Sequence, residues 1–413
     1  MNRDWTQILP PMLSGEELKN ALAYYPSYDP SICSKGLTER LSGLMSLYDL
    51  YQPSVMSEEI YCKLYLATLR SLHKKQTRLA TMQLNENRKM LLQSRGNGVI
   101  GGADSFTIIG HSGIGKSAAI SRAVSLISGN KIIETEDPYA KIIPCLTIQT
   151  PFDASVKSTL LEILRVVDEQ IKTRYLENAL RVRATTDQLI GVVSTVALNH
   201  FALLIVDEVQ NMVNSKNGKA LIGALVQIIN SAGISICLVG IPQSCIMFEE
   251  AFHLARRSLG LEYGCLPYDD FFRKLCKKLF DYCYIQTKPE LSESMAAWLY
   301  EHSGGITSSV VSLVHDAQEL AILSGTERLD LAMLNKAYEE RMKMLHGFIE
   351  PGIHRSSSTS RVGKSPFSVP EQDEALSDCP NLLSAIRKQA KETDSDVVAI
   401  LKKYITIREI KTP

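Results

Sequence analysis

The sequence predicts an α/β fold in which a parallel sheet is flanked by helices. Three observations carry that expectation. Short β-rich apolar runs alternate with longer helix-like stretches between Phe106 and about Gly240, the pattern of strands buried on both faces and joined by helical crossovers. A glycine-rich G-x-x-x-x-G-K-[ST] segment follows the first run, and the third run ends in two acids. The four runs are FTII, KIIPCLTI, FALLIV and ISICLVG. Residues 287 to about 348 change to all-helical spacing, with Val310, Leu313, Val314 and Ala317 on one face, and read as a small helical lid. Residues 1–95 read as a mostly helical N-terminal extension. In it Ser57 is placed to cap a helix carrying Ile60, Leu64, Leu69 and Leu72.

Composition narrows the class. The 413 residues hold 45 basic and 45 acidic side chains, 45% hydrophobic and 7% aromatic residues, which excludes a mostly unstructured regulator. Length points to two or three domains. No apolar run approaches a bilayer span, and MNRDWTQILPPM lacks a charged segment leading into an apolar one, so a soluble, unsecreted chain is expected. Nine cysteines, an odd count without a C-x-x-C pair, read as reduced core thiols. The eight histidines show no metal-ligand spacing. Zero net charge leaves nucleic acid open, because local patches decide that binding.

The Gly110-His111-Ser112-Gly113-Ile114-Gly115-Lys116-Ser117 segment matches the phosphate-loop pattern at every fixed position, with a strand before it and a helix after it. Its glycines allow successive backbone N–H groups and the helix N-terminus to face an anion. Lys116 is expected to bridge the β and γ phosphates of ATP, and Ser117 to ligate Mg2+; Ala118 completes the cofactor-binding set. The strand Ala202 to Val206 delivers Asp207 to its carboxyl end as the second magnesium carboxylate. Glu208 beside it is expected to activate water against the γ-phosphate. Gln243, after the fourth run, is either a contact to the γ-phosphate or part of a plain loop. Arg256 and Arg257 are either a finger reaching a neighbouring subunit's nucleotide or a surface pair.

Several patches have two readings. Arg70, Lys74 and Arg78 fall four apart on one helix face, which is either solvated or a ligand stripe. Tyr24, Tyr25, Tyr28, Tyr48 and Tyr51 form either a small core or a docking surface. Residues 349–378 read as a linker rich in Ser, Pro and charge. Residues 379–413 read as a short amphipathic tail suited to docking a partner.

Together the phosphate loop, the Asp207-Glu208 strand, the Gly240-Ile241-Pro242 strand end, the Ala-Arg-Arg element and a lid opening with Gly304-Gly305-Ile306 resemble an AAA+ ATPase. The branch they look most like is that of the transposition regulators TnsC and TniB. The resemblance implies an AAA+ P-loop NTPase domain over residues 96–286 and a lid over 287–348, with Gly305 among the cofactor-binding residues. It also implies an ATP-dependent homo-oligomeric ring or filament on double-stranded DNA in the bacterial cytoplasm. That assembly would receive a signal from a target-selection protein through residues 1–95 and pass the site to transposase subunits through the tail. By the same resemblance, DNA contacts fall on Thr150 and Lys157 first. A second cluster, Lys172, Arg174, Arg181 and Arg183, either joins them or is paired by Asp168, Glu169 and Glu177. Arg273, Lys274, Lys277 and Lys278 are either a third cluster or a solvated helix face. Two departures, Ile241 where the family often has Thr and no arginine after the Gly-Gly pair, imply slow or partner-dependent hydrolysis. Rival readings are an origin-loading or secretion-type AAA+ protein, a nucleotide-switched scaffold, and a metabolic kinase.

Overall fold

The computed structural model describes residues 9–75, 105–129, 132–136, 139–213, 215–245 and 260–342. Arg78, Arg256, Arg257, the linker and the tail lie outside them. Four of the six strands are the expected runs: β1 (Ser105–Gly110), β3 (Tyr139–Gln149), β4 (Phe201–Asp207) and β5 (Ser235–Gly240). Two more were not anticipated, β2 (Ile133–Glu136) and β6 (Leu261–Tyr263). The sheet order is β2-β3-β4-β5-β1-β6. All neighbours are parallel except β2, which pairs antiparallel with β3. The sheet is thus mixed and mostly parallel.

The apolar runs exist because both faces are covered. Along β4, Leu204 and Val206 join one core with Leu160, Leu189 and Leu225, contributed by helices Val156–Ile171, Thr186–His200 and Gly218–Ala232. Leu203 and Ile205 face the other way, into a core with Leu18, Ile60, Leu64 and Ile120. Alternate residues of a strand point to opposite faces, so a strand covered twice loses its polar positions.

The second core shows how the N-terminal region is placed. Helix Val55–Lys75 packs on the sheet through Ile60, Tyr61 and Leu64. The helix begins two residues before Ser57, which sits buried in its first turn and bonds the Tyr51 hydroxyl at 2.7 Å. At the far end, the buried Lys75 donates to the carbonyls of Ala197 and Leu198, both at 2.6 Å, which are among the last carbonyls of helix Thr186–His200. Of the expected stripe, Arg70 is exposed and Lys74 half-buried.

Among the described residues, the stretch after β6 forms four helices, Asp270–Asp281, Glu293–Ser303, Thr307–Leu323 and Leu331–Arg341, the last three in the segment expected as the lid. Phe272 and Leu279 of the first helix share a core with Leu299, Leu313 and Leu334 of the helices beyond residue 287. Side chains start three of these helices: Asp269 accepts from the Phe272 N–H at 3.0 Å, Ser292 from Met295 at 3.2 Å and Asp330 from Met333 at 2.9 Å. Leu44, Leu47 and Leu50 from the N-terminal region complete this core. Arg40 adds a two-pronged pair with Glu327 at 2.8 and 2.9 Å. The tyrosines divide between packing and exposure. Tyr24 and Tyr51 exchange backbone hydrogen bonds and Tyr28 donates to the Cys283 carbonyl at 2.6 Å, while the rings of Tyr24, Tyr25 and Tyr48 are about half exposed. Among the described residues, no helix is long and apolar enough to cross a membrane.

Candidate nucleotide-binding site

The loop between β1 and the helix Lys116–Ser128 is shaped by glycines at left-handed φ, +81° at Gly113 and +98° at Gly115, where a side chain would be strained. Gly110 is required for a different reason. A Cβ there would come within 2.8 Å of the Tyr263 carbonyl and 2.6 Å of Ile114. Lys116 Nζ donates to the carbonyls of Gly110 at 2.7 Å and His111 at 2.8 Å. Burial lowers the pKa of this ammonium, against the opposing pull of Asp207 and Glu208.

The Ser117 hydroxyl donates to Asp207 Oδ2 at 2.9 Å, so the two expected magnesium ligands meet across 90 residues of sequence. Asp207 Oδ1 accepts from the Glu208 N–H at 2.8 Å. Its carbonyl accepts from both the N–H and the hydroxyl of Thr150, each at 2.9 Å. Glu208 adopts φ +58°, an uncommon conformation for a residue with a side chain, and its carboxylate takes the side-chain amide of Gln210.

A cavity of about 250 Å3 brings together Ser112, Gly113, Gly115, Lys116, Ser117, Ala118, Asp207 and Glu208. Gln210, Gly240, Ile241 and Ser308 also line it, and none of these four was expected. Gln243 is exposed and does not line the cavity. The short helix Pro242–Ser244 turns it outward and leaves Ser244 buried against Gly240. Gly305 is likewise outside the lining. Its carbonyl accepts from Leu266 at 3.0 Å, and a Cβ would meet the Leu266 carbonyl at 2.2 Å. The lid reaches the phosphate loop through Ser308 instead, whose N–H donates to the Gly113 carbonyl at 3.0 Å.

A second cavity of about 230 Å3 adjoins the loop, sharing Gly113, Gly115 and Ala118. Its walls are Tyr48, Leu50, Tyr51 and Met56 from the N-terminal region, Ile114, and Leu275 and Val311 from the lid. The two cavities offer a polar chamber holding Lys116, Asp207 and Glu208 beside an apolar one, the pattern that suits a phosphate chain joined to a flat heteroaromatic group. No spacing in the sequence marks the N-terminal wall, because its residues act through packing and belong to no motif.

The DNA candidates separate. Thr150 is only 3% exposed and spends both donors on Asp207, so its expected place in a DNA interface is corrected: it braces the strand end that carries Asp207. Lys157 is exposed in the first turn of helix Val156–Ile171. Lys172, Arg174, Arg181 and Arg183 are exposed around helix Tyr175–Arg181. The acids among them act elsewhere. Asp168 accepts from Thr173, Tyr175 and Leu176, and Glu169 pairs with Arg165; Glu177 alone meets the cluster, 3.9 Å from Arg174. In the third cluster Arg273 is held by Asp270 at 3.0 Å and Glu293 at 3.1 Å, and Lys278 lies over the Tyr25 ring.

A phosphate loop between the first strand and its helix, an acidic strand end two strands away across a mostly parallel sheet, and a helical segment touching the loop define an AAA+ P-loop fold. Residues 63–258 match the family model described as bacterial TniB protein. No curated protein matches the chain. Among solved structures, the chain is similar to the Aeropyrum pernix ORC1 protein in complex with DNA, at 12% identity and a TM-score of 0.42, over 63% of this chain and 64% of that one. It is similar to the Drosophila ORC bound to DNA at 11% identity and 0.44, over 98% and 86%. It is also similar to domain III of the Thermotoga maritima replication initiation protein DnaA at 14% and 0.36, over 67% and 94%.

Proposed function

We propose that the protein is an ATP-dependent regulator of DNA transposition, one that oligomerises on double-stranded DNA and links target-site selection to transposase recruitment. The observation that carries this reading is the TniB family match over residues 63–258, which include the phosphate loop and the Ser117–Asp207 pair. In this reading the loop N–H groups and Lys116 hold the β and γ phosphates of ATP, while Ser117 and Asp207 hold Mg2+. The metal, when bound, neutralises developing charge on the transferred phosphoryl group. Glu208 takes the proton from the attacking water, with Gln210 positioning its carboxylate. The apolar cavity walled by Tyr48, Tyr51 and Met56 receives the base. Arg256 and Arg257 serve the nucleotide of a neighbouring subunit.

Lys157, Lys172, Arg174, Arg181 and Arg183 supply backbone contacts to the duplex, which makes binding steeply salt-dependent and tolerant of sequence. Residues 1–95 meet the target-selection protein, and the tail meets transposase subunits in the bacterial cytoplasm.

The test is ATP-dependent assembly on duplex DNA, followed by electron microscopy and sedimentation. Wild type should assemble only with ATP and DNA, Lys116→Ala should fail, and Glu208→Gln should assemble and stay assembled. Three monomeric proteins indifferent to DNA would sink the reading. Assembly that needs ATP but no duplex would favour the nucleotide-switched scaffold.

A further inference from the structure

We propose that Phe152 is a wedge whose ring enters a base step of duplex DNA, with Lys157 and Lys216 gripping the phosphates on either side. The proposal rests on the duplex-binding reading above and assigns it a residue. Phe152 is 92% exposed, the most exposed of the large apolar side chains among the described residues. Single apolar residues on a surface are ordinary. This one differs because the backbone beneath it is fixed. The Asp153 carbonyl accepts from the Ser215 hydroxyl at 2.7 Å and the Asn217 amide at 3.2 Å. Asp153 Oδ1 accepts from the Ser155 N–H at 3.1 Å, and Ala154, fully buried, donates to the Pro151 carbonyl at 2.9 Å. The ring is presented by a braced loop.

Its surroundings select the partner. Lys157 is exposed in the first turn of the helix that follows. Lys216 is exposed between Ser215 and Asn217, the two residues that clasp Asp153, and Lys219 is exposed in the first turn of helix Gly218–Ala232. Asp153, beside the ring, is engaged by its own turn. An exposed aromatic ring on a loop whose two neighbouring elements carry exposed lysines matches a stacked base pair bordered by phosphates, and it is a poor match for an apolar protein surface. Wedges of this kind partly unstack one step and bend the duplex, so they favour steps that deform easily. Thr150, two residues before the ring, is bonded to the Asp207 carbonyl, which ties the wedge to the nucleotide site.

The experiment uses the full chain with ATP and magnesium and two labelled duplexes of equal length, one containing TA steps and one a stiff A-tract. Wild type should bind the TA duplex at least about fivefold more tightly. Phe152→Ala should bind both with the A-tract affinity and an unchanged salt slope, and Phe152→Leu should keep the preference. Lys157→Ala and Lys216→Ala should each lower the salt slope by about 1 without altering the preference. Phe152→Ala that still prefers the TA duplex overturns the wedge, as does a Phe152→Ala protein whose sedimentation changes without DNA, which would make the ring a contact between copies. Wild type that binds both duplexes equally removes the wedge and leaves duplex binding standing. Wild type that binds neither removes both.

Discussion

The Ser117 hydroxyl and the Asp207 carboxylate lie 2.9 Å apart, joining the start of the helix after the phosphate loop to the end of a strand two places away in the sheet. Because both are expected to hold one magnesium ion, Ser117→Ala and Asp207→Asn should have the same phenotype. Each should lower magnesium-supported ATP turnover by at least about tenfold, the loss that follows even when groups behind a metal's ligands are removed. The double variant should be no worse than the more damaged single one, since residues acting as a unit are not additive. Steady-state turnover at several magnesium concentrations checks this, and fully additive losses would separate the two roles.

Gly113 is where the lid and the phosphate loop touch. A Cβ on it would stand 2.2 Å from the Ser308 hydroxyl and 2.9 Å from Ile306, at a φ of +81° that costs a residue with a side chain roughly 1–3 kcal/mol. Gly113→Ala should therefore weaken nucleotide binding by about tenfold or more while the circular dichroism spectrum holds. Adding Ser308→Gly should recover part of the affinity. Undiminished binding by Gly113→Ala would show that the lid does not shape the loop.

Arg40 and Glu327 join the N-terminal region to the lid with side chains 8% and 16% exposed. Hydrogen bonding to Arg40 holds the Glu327 carboxyl below its usual range. Removing one member strands a charge in a place water hardly reaches. Arg40→Met should then cost about 3–5 kcal/mol in urea unfolding, and the pair Arg40→Met with Glu327→Gln should cost less than the single change.

Burial pushes Lys75 from 10.5 down to about 7. Between those values the unfolded chain holds a proton that the folded protein does not, so this group makes stability rise with pH across that window. Below about pH 7 both states are protonated and its contribution is flat. The stability difference between wild type and Lys75→Met should accordingly climb between pH 7.5 and 9, with a slope of up to about 1.4 kcal/mol per pH unit. Parallel urea-unfolding profiles for the two proteins would show that Lys75 keeps its proton when folded.

The sequence was most informative where chemistry needs fixed residue types at fixed spacing. Ser112, Gly113, Gly115 to Ala118 and Asp207-Glu208 line one cavity, and the four long apolar runs are the four central strands. Reading failed where position depends on a distant partner. Thr150 has the composition of a surface residue, yet it turns inward because the Asp207 carbonyl at a neighbouring strand end accepts both its donors. Gln210 and Gln243 are equally polar, and only the turn after each strand places the first in the cavity. Strand β6 is three residues long, too short for any alternation to register. The N-terminal tyrosines gave no sign that two of them wall a cavity whose other sides come from residues 113–118 and 266–312.

That convergence sets a schedule for the growing chain. The wall at Tyr48 to Ser57 and the loop at Gly113 to Ala118 leave the ribosome long before Thr307 to Ser312. At roughly 5–20 residues added per second, the last wall arrives on the order of 10–40 s after the loop. Until then a nascent chain carries its phosphate-binding sequence without an enclosure for the rest of a nucleotide, so full grip on the ligand becomes a mark that synthesis has passed the lid.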